Sequence, residues 1–83
     1  KNLAKRFVAG CIVDFDAREV VVGEKVVLLD ERGTEIAVVD SDEFGDFVFD
    51  QIPAARYSVR IAGRERMADA TEKDVNLGDI SLK

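Results

Sequence analysis

Short runs of strand-favouring residues recur roughly every 8–12 residues along the chain, and each run ends at glycine or at a group of acidic residues. No segment shows the apolar period of an amphipathic helix with capping residues at both ends. Seven short strands without a helix predict two sheets packed as one all-β sandwich. The predicted strands cover residues 7–14, 25–30, 35–41, 46–50, 56–62, 66–70 and 75–82, the last interrupted at Gly78.

Two turn sequences of the same form flank the third predicted strand: Asp30-Glu31-Arg32-Gly33 and Asp42-Glu43-Phe44-Gly45. Each places glycine where a tight reversal needs a positive φ angle, so both predict hairpins. Pro53 lacks a backbone N–H and does not fit a central strand, so residues 51–55 are predicted to connect two strands.

Alternation along two strands identifies the core. In the strands predicted over 46–50 and 56–62, every second residue is large and apolar, and such residues share one face of a strand. Ser58 and Arg60 then lie on the opposite face. The predicted core side chains are Phe47, Phe49, Tyr57, Val59 and Ile61.

The second predicted strand is apolar on both faces, because Val27 and Leu29 alternate with the equally apolar Val26 and Leu28. A strand of this kind is either a central strand covered by a neighbouring loop or a strand that offers a surface to another domain. The sequence leaves both interpretations open.

Arg56 and Arg60 share the non-core face of one strand. Arginines in this position either keep an exposed edge soluble by pairing with nearby acids, or bind carboxylates of a partner. Together with Val27 and Leu29 they form the predicted docking surface. All four side chains are expected to be partly exposed in the isolated domain.

Length and charge limit the classes of function. With 83 residues, the chain has room for one core. Its net charge of -5 is concentrated in residues 14–51, which hold twelve acids and three bases. Nucleic-acid binding needs a basic face, so no nucleic-acid partner is expected. The apolar runs are far shorter than the ~20 residues of a membrane span, so no span is expected.

The residues that usually perform catalysis are missing or poorly placed. The chain has no histidine to activate a serine or bind a metal. Cys11, the one cysteine, lies in an apolar predicted strand, which favours a small semi-buried residue over a reactive thiol. One thiolate also falls short of the four that an iron–sulfur cluster usually takes. We expect no catalytic site, metal site or cofactor site in this domain.

The acidic segment 40–46 partly resembles a calcium loop. Counted from Asp40, aspartate occupies positions one and three and Gly45 position six, but position five is Phe44 and position twelve is Gln51, where calcium needs a carboxylate. A solvated hairpin turn explains the same residues, and a weak calcium site is the alternative.

Four segments, taken together, resemble the carboxypeptidase-regulatory-like and collagen-adhesin B-type superfamily. The resemblance implies a transthyretin-like (prealbumin-like) Greek-key sandwich of seven strands, and it specifies fold more than function. The segments are Gly10–Asp14, Gly23–Leu28, Ser41–Phe49 and Tyr57–Ile61.

Three segments resemble more closely the C-terminal domain of iron–sulfur subunits of molybdopterin-dependent oxidoreductases of the transhydroxylase type: Lys5–Gly10, Phe44–Asp50 and Asp74–Ile80. This resemblance implies an upstream ferredoxin-like domain that carries the iron–sulfur clusters, and a molybdopterin catalytic subunit as partner. Residues 1–6 would be a linker and 7–83 the sandwich, in a bacterial protein of the cytoplasm or periplasm.

Two kinds of chemistry known in related domains, hydrolysis and isopeptide formation, each require residues that can be checked in this sequence. Hydroxyisourate hydrolases of the transthyretin-like group need catalytic histidines and a Tyr-Arg-Gly-Ser ending, and this chain has neither. Adhesin B-type domains with a Lys–Asn isopeptide carry a glutamate where Arg60 stands here. No crosslink between Lys5 and Asn76 is therefore expected.

These observations favour a non-catalytic structural and docking domain of a larger protein, namely an iron–sulfur electron-transfer subunit of a molybdopterin oxidoreductase. The alternative is an adhesive or carbohydrate-binding module of a surface or periplasmic protein. Phe15 and Phe44 are the rings expected to be exposed, and the chain has no tryptophan to form an aromatic platform for a sugar.

Overall fold

The computed structural model describes residues 4–82. This part of the chain is all-β and contains no helix, which confirms the predicted fold class; it therefore has no helix that could cross a membrane. The strands are β1 (Lys5–Asp14), β2 (Glu19–Val20), β3 (Lys25–Leu29), β4 (Glu35–Asp40), β5 (Asp46–Pro53), β6 (Arg56–Ile61), β7 (Arg64–Asp69) and β8 (Val75–Ser81).

The strands form two sheets. In sheet 1, β1 is central: β5 and β2 pair with it in antiparallel orientation, and β8 pairs with it in parallel orientation. Sheet 2 is antiparallel throughout, in the order β4-β3-β6-β7. The two sheets pack face to face as a sandwich, with the core between them.

The core lies between the sheets and is built by alternation along the strands. Sheet 1 contributes Val8 and Ile12, which have no exposed surface, and these pack with Val26 and Leu28 of sheet 2. Burying each such side chain contributes about 1.5–3 kcal/mol. The five predicted core residues are all buried, as predicted: Phe47, Phe49, Tyr57, Val59 and Ile61.

Every boundary of the seven predicted strands lies within three residues of the prediction, and the largest difference is at the end of β5. The segment 51–55, predicted as a connection, begins as the end of β5, which runs on to Pro53. Proline is tolerated there because β5 is an edge strand. At Gln51 the φ angle of 58° marks a bulge, opposite a register shift in β1 between Arg6 and Val8.

Three further differences from the prediction concern the start of β1, the bulge in β8 and the short strand β2. Strand β1 begins at Lys5, inside the segment 1–6 predicted as a linker; residues 1–3 and 83 lie outside the described part. Gly78, with a φ angle of 71°, forms a bulge in β8 without ending the strand. Strand β2 is only two residues long, too short for alternation to reveal it, and it makes eight strands where seven were predicted.

The second predicted hairpin is not a hairpin. The turn Asp42–Asp46 joins β4 of sheet 2 to β5 of sheet 1, so the chain crosses from one layer of the sandwich to the other. The Gly45 carbonyl accepts the N–H of Ile12 at 2.8 Å, which holds the turn against β1. This contact involves residues far apart in sequence, which turn chemistry alone cannot predict.

A candidate docking surface on the second sheet

The outer face of sheet 2 is organised in two rows that run across its strands. Side chains directly opposite each other in antiparallel strands lie on the same face, so the strand register defines each row. One row is Val38, Val27, Arg60 and Glu65, and the other is Glu35, Leu29, Ser58 and Met67. The predicted residues Val27, Leu29 and Arg60 therefore lie together on this face.

Arg60 forms a bridge across this face. Its guanidinium pairs with Glu35 on β4 and, at 3.9 Å, with Glu65 on β7. Strand β3 lies between β6 and β4, so the Arg60 side chain passes over β3 to reach Glu35. The methylene groups of an arginine side chain can cover apolar surface in this way while the charged end remains in contact with water.

The structure corrects the expected exposure of Val27 and Leu29. Val27 is 6% exposed and Leu29 is 1% exposed, so the prediction that both are partly exposed is wrong. They are buried in the isolated domain by neighbours on the adjoining strands. Whether a partner docks over them remains a prediction.

Arg56 lies at the end of the same face and is more exposed. It pairs with Glu31 at 3.7 Å and with Asp69 at 3.6 Å. Hydrogen bonds from the Thr71 side chain and backbone, with a smaller contribution from Arg56, lower the pKa of Asp69. Exposed ion pairs contribute little to stability, so Arg56 can exchange these partners at low cost.

Three exposed apolar side chains complete the surface, and sequence reasoning missed them. Ile36 and Val38 on β4 are about half exposed, and Met67 on β7 is 76% exposed. Their position beside Val27 and Arg60 depends on the order of strands in the sheet. The signal in the sequence was the alternation of Ile36 and Val38 with Ala37 and Val39, but it does not tell which of the two faces points outward.

A groove with several acidic side chains lies along β1, β5 and β8 of sheet 1 and reaches β4 of sheet 2 at Val39 and Asp40. The groove has a volume of about 600 Å³, and Cys11 and Val48 line it together with Asp46 and Asp79. Burial and the neighbouring Asp46 carboxylate raise the pKa of the Cys11 thiol. A thiol with a raised pKa stays protonated near neutral pH and is a poor nucleophile.

The carboxylates predicted as possible calcium ligands serve the turn itself. One oxygen of Asp42 accepts the N–H groups of Phe44 and Asp46, both at 2.9 Å. Within residues 4–82, no three His, Cys, Asp or Glu side chains are grouped to hold a metal ion. The Asp42 contacts are those of a solvated turn, but the turn joins two sheets and is not the predicted hairpin; weak calcium binding stays a prediction.

The residues considered for an isopeptide lie apart. Lys5 and Asn76 belong to sheet 1, whereas Arg60, at the position of the family's glutamate, lies on the outer face of sheet 2. The Asn76 side-chain oxygen accepts the N–H of Gly78 at 2.9 Å, within its own strand. The position that holds a glutamate in the family therefore supplies no carboxylate to the side chains of Lys5 and Asn76.

No family model matches the sequence, and no curated protein is similar to it in sequence. Several solved structures share its fold. The Bacillus anthracis TIE protein is 14% identical, with a TM-score of 0.80 over 96% of this chain and 16% of its own. The major pilin subunit BcpA of Bacillus cereus, in its D312A form, is 17% identical, with a TM-score of 0.76 over 94% of this chain and 30% of its own.

An enzyme also has this fold. Klebsiella pneumoniae 5-hydroxyisourate hydrolase is 19% identical, with a TM-score of 0.72 over 94% of this chain and 91% of its own. These likenesses show a prealbumin-like domain. The chain spans less than a third of the BcpA and TIE proteins.

Proposed function

We propose that this chain is a non-catalytic structural and docking domain of a longer protein. The observation that carries the proposal is the outer face of sheet 2, where Ile36, Val38 and Met67 are exposed around the Arg60 bridge. An exposed apolar group rimmed by charges is typical of a protein interface. Arginine and methionine are enriched at such interfaces.

The proposed absence of catalysis rests on the chemistry of the side chains, since a hydrolase also has this fold. The hydrolase with this fold belongs to a group that relies on histidine, and this chain has none. Its one thiol has a raised pKa. Neither a nucleophile nor a general base stands out among residues 4–82.

One proposed parent is the iron–sulfur electron-transfer subunit of a molybdopterin oxidoreductase. The sequence resemblance supports it: Lys5–Gly10, Phe44–Asp50 and Asp74–Ile80 contribute to β1, β5 and β8. All three strands belong to sheet 1, so sheet 2 remains free to face the upstream ferredoxin-like domain or the molybdopterin subunit. The clusters would be bound elsewhere in the parent.

The second proposed parent is a surface protein in which this domain is an adhesive or structural module. The fold likeness to domains of pilin subunits favours it. Reading the coding sequence upstream of Lys1 separates the two parents, because closely spaced cysteines of the Cys-x-x-Cys type would indicate cluster ligands. A series of further β-sandwich domains would indicate the surface protein.

The docking proposal is tested in the full-length parent by a matched pair of variants. Val38 and Val48 are equally exposed, at 49% and 51%, but lie on the outer faces of opposite sheets. Val38→Glu should weaken docking of the domain, by roughly 1–3 kcal/mol for a central apolar contact, whereas Val48→Glu should not. Amide hydrogen exchange in β4 and β7 reports docking as slower exchange than in the isolated domain. Equal effects of both variants would overturn the assignment to sheet 2.

A further inference from the structure

Strand β4 presents an open edge of sheet 2. Of the four long edge strands in the described part, β5 and β8 are interrupted by bulges at Gln51 and Gly78. Strand β7 alternates positive and negative residues along its first half. Charges and bulges are the usual means of blocking unwanted strand pairing. Strand β4 also has a bulge, at Ile36, where its register with β3 shifts, but from Ala37 to Asp40 its pairing is regular and it has no proline, glycine or base.

The hydrogen-bonding groups of β4 that face away from the sheet can be identified. Ser41 donates its N–H to Glu24 and accepts the N–H of Gly23, so its backbone points toward the β3 side. Backbone direction alternates along an antiparallel strand. The N–H and C=O groups of Val38 and Asp40 therefore point outward, to the open edge.

The charge around this edge has one sign. Residues 34–55 contain six acids and no base. Among the ion pairs of residues 4–82, only that of Glu35 with Arg60 involves this segment. The acids are Glu35, Asp40, Asp42, Glu43, Asp46 and Asp50.

This charge disfavours a second copy of the chain as the occupant. A two-fold pair formed through the outward groups of Val38 would overlap the two acidic strands and bring Glu35 of each copy near Asp40 of the other. Like charges brought close together repel each other. A strand with basic residues at its ends would instead place opposite charges in register.

We propose that the edge of β4 binds an extended segment of a partner protein that has an apolar centre and Lys or Arg at its ends, by addition of a strand to sheet 2. Backbone bonds to Val38 and Asp40 would supply affinity, and the exposed Ile36 and Val38 would contact alternate side chains of the segment. The proposal gives a partner chemistry to the docking function proposed above. The strand-addition test uses the isolated chain, whereas the docking test uses the full-length parent, so either proposal can fail without the other.

The test uses two synthetic peptides, Lys-Thr-Val-Thr-Val-Lys and Glu-Thr-Val-Thr-Val-Glu, titrated into the ¹⁵N-labelled chain. The basic peptide should shift the amide signals of Val38 and Asp40 and slow their hydrogen exchange. Its affinity should fall as salt is raised. Equal binding of both peptides, or shifts confined to other strands, would refute the proposal. Protection of Val38 that grows with protein concentration in the absence of peptide would refute it in favour of self-pairing.

Two proline variants sharpen the test. Val38→Pro removes an outward N–H and should weaken the basic peptide at least about tenfold. Val48→Pro is the matched control, because the Gly45 carbonyl accepts the N–H of Ile12 and alternation then turns the Val48 N–H outward on β5, an edge strand of the other sheet. It should leave affinity unchanged, and an equal loss would contradict the assignment to β4.

A charge variant covers the case in which proline unfolds the domain. Asp40→Asn should weaken the basic peptide by about threefold, as expected for one exposed charge pair, and reduce the salt dependence. Asp50→Asn, on the edge strand of sheet 1, should change neither. If Asp40→Asn binds the basic peptide as tightly as the unmodified chain does, the charge argument is wrong.

Discussion

The two turns of the form Asp-Glu-x-Gly are locally the same and lead the chain to different places. In each, one carboxylate oxygen of the first aspartate accepts two backbone N–H groups, those of Arg32 and Thr34 in one turn and of Phe44 and Asp46 in the other, all at 2.9 Å. The glycines have φ angles of 85° and 78°. Yet the first turn joins strands of one sheet and the second joins two sheets.

Their surroundings account for the difference. A Cβ atom added to Gly33 would meet nothing within 4 Å, whereas one added to Gly45 would lie 2.7 Å from the Ile12 carbonyl oxygen and 2.8 Å from the Val20 Cβ. Local hydrogen bonds fix the shape of a turn. Tertiary packing decides which strand the turn lies against, and therefore which sheet the chain enters.

The largest expected effect is on the stability of glycine variants. Both Gly33→Ala and Gly45→Ala force alanine into the left-handed region, at about 1–2 kcal/mol. Gly45→Ala also drives a methyl group into the backbone of β1, so its total loss should be about 2–5 kcal/mol. Urea unfolding of both variants measures the difference. Equal losses would show that the two turns are alike in tertiary context as well.

A second effect concerns Ser41, which is 4% exposed and precedes the crossing turn. Its hydroxyl donates to the Val21 carbonyl at 2.7 Å and accepts the N–H of Glu24 at 2.9 Å. Ser41→Ala leaves both partners unpaired, so unfolding free energy should fall by about 1–3 kcal/mol. Thr34→Ala, exposed in the first turn, should change it by less than about 0.5 kcal/mol. If Thr34→Ala lowers the unfolding free energy as much as Ser41→Ala in a thermal or urea melt, the Ser41 hydrogen bonds do not stabilise the turn that joins the two sheets.

The aspartates test the local similarity. Asp30→Ala and Asp42→Ala each remove two hydrogen bonds from exposed N–H groups, and each should destabilise the domain by about 1 kcal/mol. The two losses should agree within about 0.5 kcal/mol in the same urea experiment. A much larger loss for Asp42 would mean that its carboxylate has a role beyond its turn.

The smallest expected effect is on the reactivity of Cys11, whose Sγ lies 3.5 Å from the Phe44 carbonyl of the crossing turn. Burial and the Asp46 carboxylate raise the pKa of this thiol, so less thiolate forms near neutral pH and alkylation by iodoacetamide should be slow. Asp46→Asn should lower the pKa and speed alkylation, as followed by intact mass. Asp30→Asn, in the other turn, should leave the rate as it is. A rate unaffected by Asp46→Asn would mean that the Asp46 carboxylate does not raise the pKa of this thiol.

The outer face of sheet 2, like the two turns, depends on contacts between residues that are far apart in sequence. Alternation placed Arg60 opposite the core and left Val27 and Leu29 on the outer face of their own strand, and both placements hold. The prediction that Val27 and Leu29 are partly exposed was wrong, because neighbours on the strands at either side bury them, and the arginine that crosses to Glu35 lies on the same face. Contacts between residues 25 apart in sequence leave no local pattern to find.

The sequence by itself determined the all-β class, seven of the eight strands, both glycine turns and the five core side chains on β5 and β6. Each of these follows from forces that act within a few residues: side-chain alternation, positive φ at glycine and the hydrogen bonds of an aspartate to its own turn. Only the tertiary structure decided that β8 runs parallel to β1, that the second turn changes sheets and that Arg60 covers β3. The physical reason is that strand order and register are chosen by the burial of many side chains at once, which no single segment of the sequence encodes.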